Sequence, residues 1–299
     1  MRTYPFVSVI IPVFNASQRL EMCLEALTGQ TYPGDFYEII VVDNNSDQDI
    51  EGVVRRFDRA IYAFEACSGS YTARNRGVSL SKGDIIAFTD SDCMPAQDWI
   101  QKGVSRLLGA TDYGLVAGKI NFSFKDPNRP TAVELYDSVT YLQQKEHVER
   151  DGFGTTANLF TFRKIIDRVG PFDDTLKSGG DRQWGQRASS FGYKPVYADD
   201  VNVTHPAVYS IVQLCKRRRR VTGGLYGLRK REHCSFCEHG GILAKRFFGP
   251  LSNISLILKD RRVCGVRRRI KLIFIVLLVD SLASLEKIRL ALGGKPERH

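Results

Sequence analysis

The sequence predicts an α/β fold, a mostly parallel sheet with flanking helices, followed by a basic helical C-terminal extension. Three observations carry this. Short β-branched or aromatic runs alternate with helical patterns through the N-terminal third, the mark of βαβ units. The runs are apolar on both faces, as in a sheet covered on both sides. The charge is divided: the 299-residue chain is +10 overall, yet from His205 onward 21 Lys and Arg face 6 Asp and Glu, a net of +15, leaving −5 on the preceding 204 residues.

In chain order, residues 7–11 form the first strand, with Ser8 inside an apolar run, followed by strands at 38–42, 61–64 and 84–88. Between the first two, Leu20, Cys23, Leu24 and Leu27 repeat at helical spacing, with Ser17 as N-cap and Gly29 as stop. A second helix runs over 71–80 and a third over 133–146. The Gly/Thr-rich turn 151–158 opens a strand at 159–162, Gly170 to Asp173 ends a short helix, and Asp181 opens another through Trp184 and Arg187. The change of charge sets a boundary between a region 1–205 and a basic, partly apolar helical region 206–299.

Composition narrows the class. A charged fraction of 25% and a hydrophobic fraction of 43% exclude general disorder. The 26 Gly and 11 Pro show no period, which excludes collagen-like chains. Seven scattered Cys do not read as a disulfide framework, and the apolar run at 7–11 is short for a signal peptide. Both features predict a reduced, cytoplasmic protein.

Ligands of such sheets collect beyond the carboxyl ends of the strands. Polar residues follow three strands directly: Asn15 the first, the run Asp43-Asn44-Asn45-Ser46-Asp47 the second, and Asp90-Ser91-Asp92 the fourth. Two carboxylates at i and i+2 can converge on one hard divalent cation, Mg²⁺ or Mn²⁺, that also bridges a diphosphate. They could equally cap a helix starting near Pro95.

The runs 5–15 (PFVSVIIPVFN), 39–46 (IIVVDNNS), 73–77 (ARNRG) and 88–93 (FTDSDC), in this order and spacing, resemble the family 2 glycosyltransferases with the GT-A nucleotide-sugar-binding fold, a Rossmann-like sheet. The resemblance continues through 158–163, 170–173, 179–181 and 192–193, covering residues 5–205. It implies that Asp43 binds the nucleotide base, that Pro12 and Asn15 line the nucleotide loop, and that Arg74 faces the nucleotide and its phosphates. It also implies that Asp90 holds ribose or metal, that Asp92 contacts the metal directly, and that His205 ligates the metal or contacts the diphosphate. Asp181 matches the general base that takes the acceptor's proton. Where the family's motif reads Glu-Asp, this chain has Gly180-Asp181. Read without the resemblance, Arg74 is a solvated helix charge, Asp181 an N-cap and His205 a structural histidine. Asn75 and Gly77 read as structural, and Asp47 and Asp49 as members of a solvated loop.

The implied reaction is a metal-dependent, inverting hexosyl transfer, with Mn²⁺ or Mg²⁺, from a nucleotide-diphospho-sugar, UDP-linked first of all. The acceptor is a hydroxyl of a saccharide or lipid-linked molecule in polysaccharide or glycolipid synthesis. A sugar nucleotidyltransferase would need a Gly-rich basic loop after the first strand, and Pro12-Val13-Phe14-Asn15 is nothing of the kind. From another class, the rival is a non-catalytic basic adaptor that binds anionic membrane or nucleic acid through 205–299.

In the basic region, Lys216 to Arg220 followed by Thr222-Gly223-Gly224 suggest a glycine-hinged lid over phosphates, or else a solvated helix face. Without interleaved aromatics, nucleic acid is not expected as a partner. Arg267-Arg268-Arg269 precede the apolar run 272–279, which is shorter than the roughly 18 residues needed to span a bilayer. This pattern predicts peripheral attachment to an anionic cytoplasmic face of the plasma membrane, or a docked core helix. A second apolar segment spans 247–258. The single C-x-x-C of Cys234 and Cys237, with His233 and His239, is weak support for zinc.

Overall fold

The computed structural model describes residues 4–109, 113–232 and 265–294. By its contacts the chain forms two compact units: residues 1–121, 143–176 and 180–205 in the first, and 122–142, 177–179 and 206–299 in the second.

In the first unit, β1 (Val7–Val13), α1 (Ser17–Thr28), β2 (Tyr37–Asp43), α2 (Ile50–Val54), β3 (Ala60–Phe64), α3 (Ser70–Leu80) and β4 (Ile85–Thr89) follow the predicted alternation. Then come β5 (Met94–Pro95), α4 (Trp99–Leu108) and β6 (Tyr113–Ser123). The helix α5 (Ala132–Thr140) belongs to the second unit. After it follow α6 (Gln144–Asp151), β7 (Asn158–Phe162), α7 (Arg163–Val169), α8 (Gly180–Ser190) and β8 (Lys194–Pro206). The strands form one sheet in the order β3-β2-β1-β4-β7-β6-β8-β5.

The sheet is mixed, which corrects the mostly parallel expectation. β3, β2, β1 and β4 run parallel, while β7 is antiparallel to both β4 and β6, and β5 is antiparallel to β8. Connections set strand direction: βαβ crossovers return the chain to its starting end, whereas the turn before β7 delivers NLFTF the opposite way. Nothing in those five residues encodes the sense.

Residues Val9 to Ile11, Ile39 to Val42 and Ile85 to Phe88 are fully buried, each large aliphatic or aromatic side chain worth about 1.5–3 kcal/mol. Polar Ser8 is buried too. Its hydroxyl donates to Glu38 Oε1 at 2.7 Å and accepts from Gly83 N at 2.8 Å. The helix α3 lies close on β1 and β2 because Gly77 has no side chain: a Cβ there would meet Ile10 Cγ2 at 2.5 Å.

Two local expectations change. α1 begins at Ser17, its N-cap is Ala16, and no side chain caps it. The predicted helix at 133–146 is two helices, broken where Leu142 takes a left-handed backbone with φ 50°.

The second unit joins α5, α9 (Ile211–Glu232) and α10 (Val266–Ala291). Leu135, Tyr136 and Val139 of α5, Leu214 of α9, and Leu272, Ile275, Val276 and Val279 of α10 make its core. The basic run lies inside α9, where Gly223 and Gly224 are helical in place of the expected hinge. A Cβ on Gly224 would strike Ser178 at 2.6 Å, so this glycine serves close packing. Among the described residues no helix is long and apolar enough to cross a membrane. Cys234, Cys237, their flanking histidines and the 247–258 segment lie outside the described residues.

Candidate active site

The strand order reverses beside β1, whose neighbours are β2 and β4. That switch point is where an open α/β sheet offers a crevice at its carboxyl ends. Val13 and Asp43 are register partners at the ends of β1 and β2, so the polar residues after them share one edge. Pro12 sits within β1, paired with Val42, and not in the loop the sequence suggested. Asn15, at φ 49°, starts the loop. Its backbone N donates to Ser46 Oγ at 2.9 Å, and its Oδ1 accepts from Asp47 N at 2.8 Å. Asp47 therefore laces two loops together, and Asp49 caps α2 by accepting from Gly52 N at 2.8 Å.

The Asp43 carboxylate is buried at the end of β2. It accepts from Ser46 N at 3.0 Å and from Tyr62 Oη at 3.2 Å. Loss of water, then the neighbouring carboxylate, raises the Tyr62 pKa and keeps its hydroxyl a donor.

The two carboxylates after β4 take different partners. Asp90 Oδ1 pairs with Arg74 Nη2 at 2.5 Å, and the arginine side chain is only 6% exposed. Arg74 is thus a buried partner of Asp90 and not a solvated helix charge. Desolvation pushes the Asp90 pKa up; Arg74 opposes this, Asp92 adds to it, His205 opposes it, and Asp181 adds to it. Asp92 faces His205 Nε2 at 3.6 Å and Arg19 Nη1 at 3.5 Å. The short pairing of β5 with β8, Met94 opposite Thr204, brings His205 to Asp92. Neither carboxylate caps a helix: α4 starts at Trp99 after Asp98. Among the described residues no three metal-type side chains gather closely enough to hold an ion by themselves. Asp92 and His205 remain as a carboxylate–imidazole pair.

Asp181 lies in the first turn of α8, but its side chain faces away from helix capping. Its Oδ1 accepts from Tyr71 Oη at 2.5 Å and its Oδ2 from Thr156 N at 3.2 Å. The way it arrives there is legible in the packing. Asn75 exchanges two hydrogen bonds with the Phe172 backbone, at 2.8 and 3.0 Å. The Phe172 ring then stacks on Tyr71 at 5.9 Å and tilts against Trp184 at 5.1 Å. The Gly-Pro-Phe-Asp motif is therefore a clamp between α3 and α8. Spacing along the chain gives no signal for Tyr71, Thr156, Arg19 or Tyr62, whose partners are distant in sequence.

Asn158 is the register partner of Thr89, the residue before Asp90. Fully buried, it accepts from Trp99 Nε1 at 2.8 Å and donates to the Lys119 and Val201 carbonyls, both at 2.9 Å. A separate hollow of about 540 Å³, lined by Lys145, Val148, Glu149, Pro195, Tyr197 and Asp199, shares none of the site residues.

Carboxylates at the switch-point edge of the sheet, with a further carboxylate in the first turn of α8, accord with an inverting, nucleotide-sugar-dependent glycosyltransferase, the class that the sequence relationships show. The glycosyl transferase family 2 model matches residues 8–172, and the chain belongs to that family. It is 43% identical over 227 residues to glycosyltransferase AglE of Haloferax volcanii, covering 74% of this chain and 73% of that protein. Probable glycosyltransferase YdaM of Bacillus subtilis is 33% identical over 206 residues, with 64% of this chain and 49% of YdaM covered. In fold, the chain is similar to a Pyrobaculum calidifontis mannosyltransferase solved with GDP-Man and Mn²⁺. The TM-score is 0.64 at 18% identity, covering 96% of this chain and 87% of that one.

Proposed function

We propose that this chain transfers a hexosyl group, with inversion, from a nucleoside-diphosphate sugar to a hydroxyl of a saccharide or lipid-linked acceptor. The observation that supports it best is that one helix, α3, serves both halves of the reaction. Arg74 grips the carboxylate on the nucleotide side, and Tyr71, one turn earlier, grips the candidate base. In this reading Asp43 and Asn15 hold the base and ribose edge, Pro12 shapes the strand end above them, and Arg74 and Asp90 face the sugar diphosphate. Asp181 accepts the acceptor's proton as its oxygen attacks the anomeric carbon. The nucleoside diphosphate leaves from the opposite side.

The donor set suits a divalent cation of the Mg²⁺ or Mn²⁺ type, which binds through one or two protein ligands plus phosphate oxygens. Asp92 and His205 would hold it. When bound, it supplies positive charge against the departing diphosphate. The test is turnover of UDP- and GDP-sugars with and without chelator, together with Asp181→Asn. Chelation should abolish turnover, and D181N should lower kcat by about 10²–10⁴-fold. Full activity in D181N overturns the base assignment; metal-independent transfer overturns the cation.

For the basic region we propose a peripheral site on an anionic membrane surface. In α10, Val266, Ile270, Phe274 and Leu277, and two turns further on Leu285 and Ile288, lie at helical spacing and are exposed, while the other face is buried in the second unit. Arg267, Arg268, Arg269 and Lys271 flank the stripe. The two carboxylates of the helix are turned to arginines, Asp280 to Arg218 and Glu286 to Arg289. An outward face both apolar and basic matches an anionic interface.

A further inference from the structure

Gly180 directly precedes the candidate base Asp181, and the structure shows what fills the space beside it. A Cβ on Gly180 would meet the Tyr71 ring at 2.7 Å. The ring has no room to retreat: it is buried, stacked on Phe172, and lies beneath the Arg74 guanidinium at 5.6 Å. Its hydroxyl then reaches Asp181 Oδ1 at 2.5 Å.

We propose that Tyr71 is a positioning residue for the base Asp181, and that Gly180 stands beside that base to admit the Tyr71 ring. The proposal rests on the reading of Asp181 as general base. Tyr71 holds one carboxylate oxygen while the Thr156 N–H holds the other, so the carboxylate plane is fixed. Each carboxylate oxygen can accept more than one hydrogen bond, which leaves lone pairs for the acceptor's proton. Burial and the Asp181 charge raise the Tyr71 pKa well above the usual tyrosine range, so its hydroxyl remains a donor. Because Arg74 packs on the same ring and pairs with Asp90, Tyr71 links the orientation of the base to the donor side. No proton leaves Tyr71; it donates a hydrogen bond throughout.

Tyr71→Phe tests this, because it keeps the ring and both of its stacking contacts. A hydrogen bond to a charged group is worth about 1.5–3 kcal/mol, so kcat should fall roughly ten- to hundred-fold. Donor KM should stay within about twofold, since no donor contact is removed. Gly180→Ala, whose Cβ parts the Tyr71 ring from the start of α8, should reproduce the kcat loss with donor KM unchanged, and the double variant should be no worse than about twofold below Y71F. Unchanged kcat in Y71F, or losses that simply add in the double variant, overturn the proposal. Thermal melts check that each variant folds. If D181N is fully active, the base reading fails independently of Tyr71; if D181N is inactive and Y71F behaves as wild type, only the positioning role fails.

Discussion

Burying a polar side chain without a full set of partners has a cost, and His147 shows it. Its ring stacks on Phe153 at 4.7 Å, and its Nδ1 is buried with no hydrogen-bond partner among the described residues. Loss of water lowers its pKa; nearby Asp151, Asp181 and Glu146 oppose the shift without cancelling it. The unfolded chain therefore binds a proton more readily than the folded one, and stability rises with pH across that interval. The His147 contribution is complete above the unfolded value of about 6.5 and is lost as pH falls toward the lower folded value. His147→Phe should lose less melting temperature than wild type between about pH 7.5 and pH 5.5. Parallel decline of the two proteins in thermal melts would place the acid sensitivity elsewhere. Asn158 illustrates the opposite case, a buried polar group whose three bonds are all made.

At the scale of elements, two ion pairs tie α9 to the other helices of the second unit. Arg217 of α9 pairs with Asp137 of α5, which is fully buried and also accepts from Val208 N at 2.9 Å. The same guanidinium lies over the Tyr141 ring, 3.8 Å from its centroid. A basic run that reads in sequence as a lid or a solvated face thus spends two of its arginines inward, Arg217 on Asp137 and Arg218 on Asp280. Removing one partner of a buried pair leaves an uncompensated charge, so Arg217→Ala should cost about 3–5 kcal/mol in denaturant unfolding. Adding Asp137→Asn should restore part of the loss, because the stranded carboxylate disappears. Equal destabilisation of the single and double variants would show that packing, not charge, is lost.

At the scale of the whole chain, the sequence divides into a part of 204 residues with a net charge of −5 and a part of 95 residues with a net charge of +15. Residues bearing the site belong to the first compact unit, and the exposed apolar stripe of α10 to the second. Sedimentation with vesicles should show binding to phosphatidylserine-containing bilayers and little to neutral ones, weakened by salt. Phe274→Glu, which places a carboxylate in the stripe at a residue 67% exposed, should abolish it while sugar transfer to a soluble acceptor continues. Equal binding of F274E and wild type would remove α10 as the attachment face.

The sequence by itself determined the parallel strands β1 to β4, the polar residues at their carboxyl ends and the membership of its family. These depend on periodicity and on motifs whose residues are close in the chain. Tertiary structure alone decided the antiparallel half of the sheet, the break at Leu142 and the partner of every site carboxylate. Asp90 and Asp92 are two residues apart, yet one is held by Arg74 and the other faces His205, because α3 docks over β1 and β5 pairs with β8. Tyr71 and Asp181, 110 residues apart, meet only through the Phe172 clamp and the missing side chain of Gly180. Such contacts are set by strand order and close packing, and neither is written in the spacing of residues along one segment.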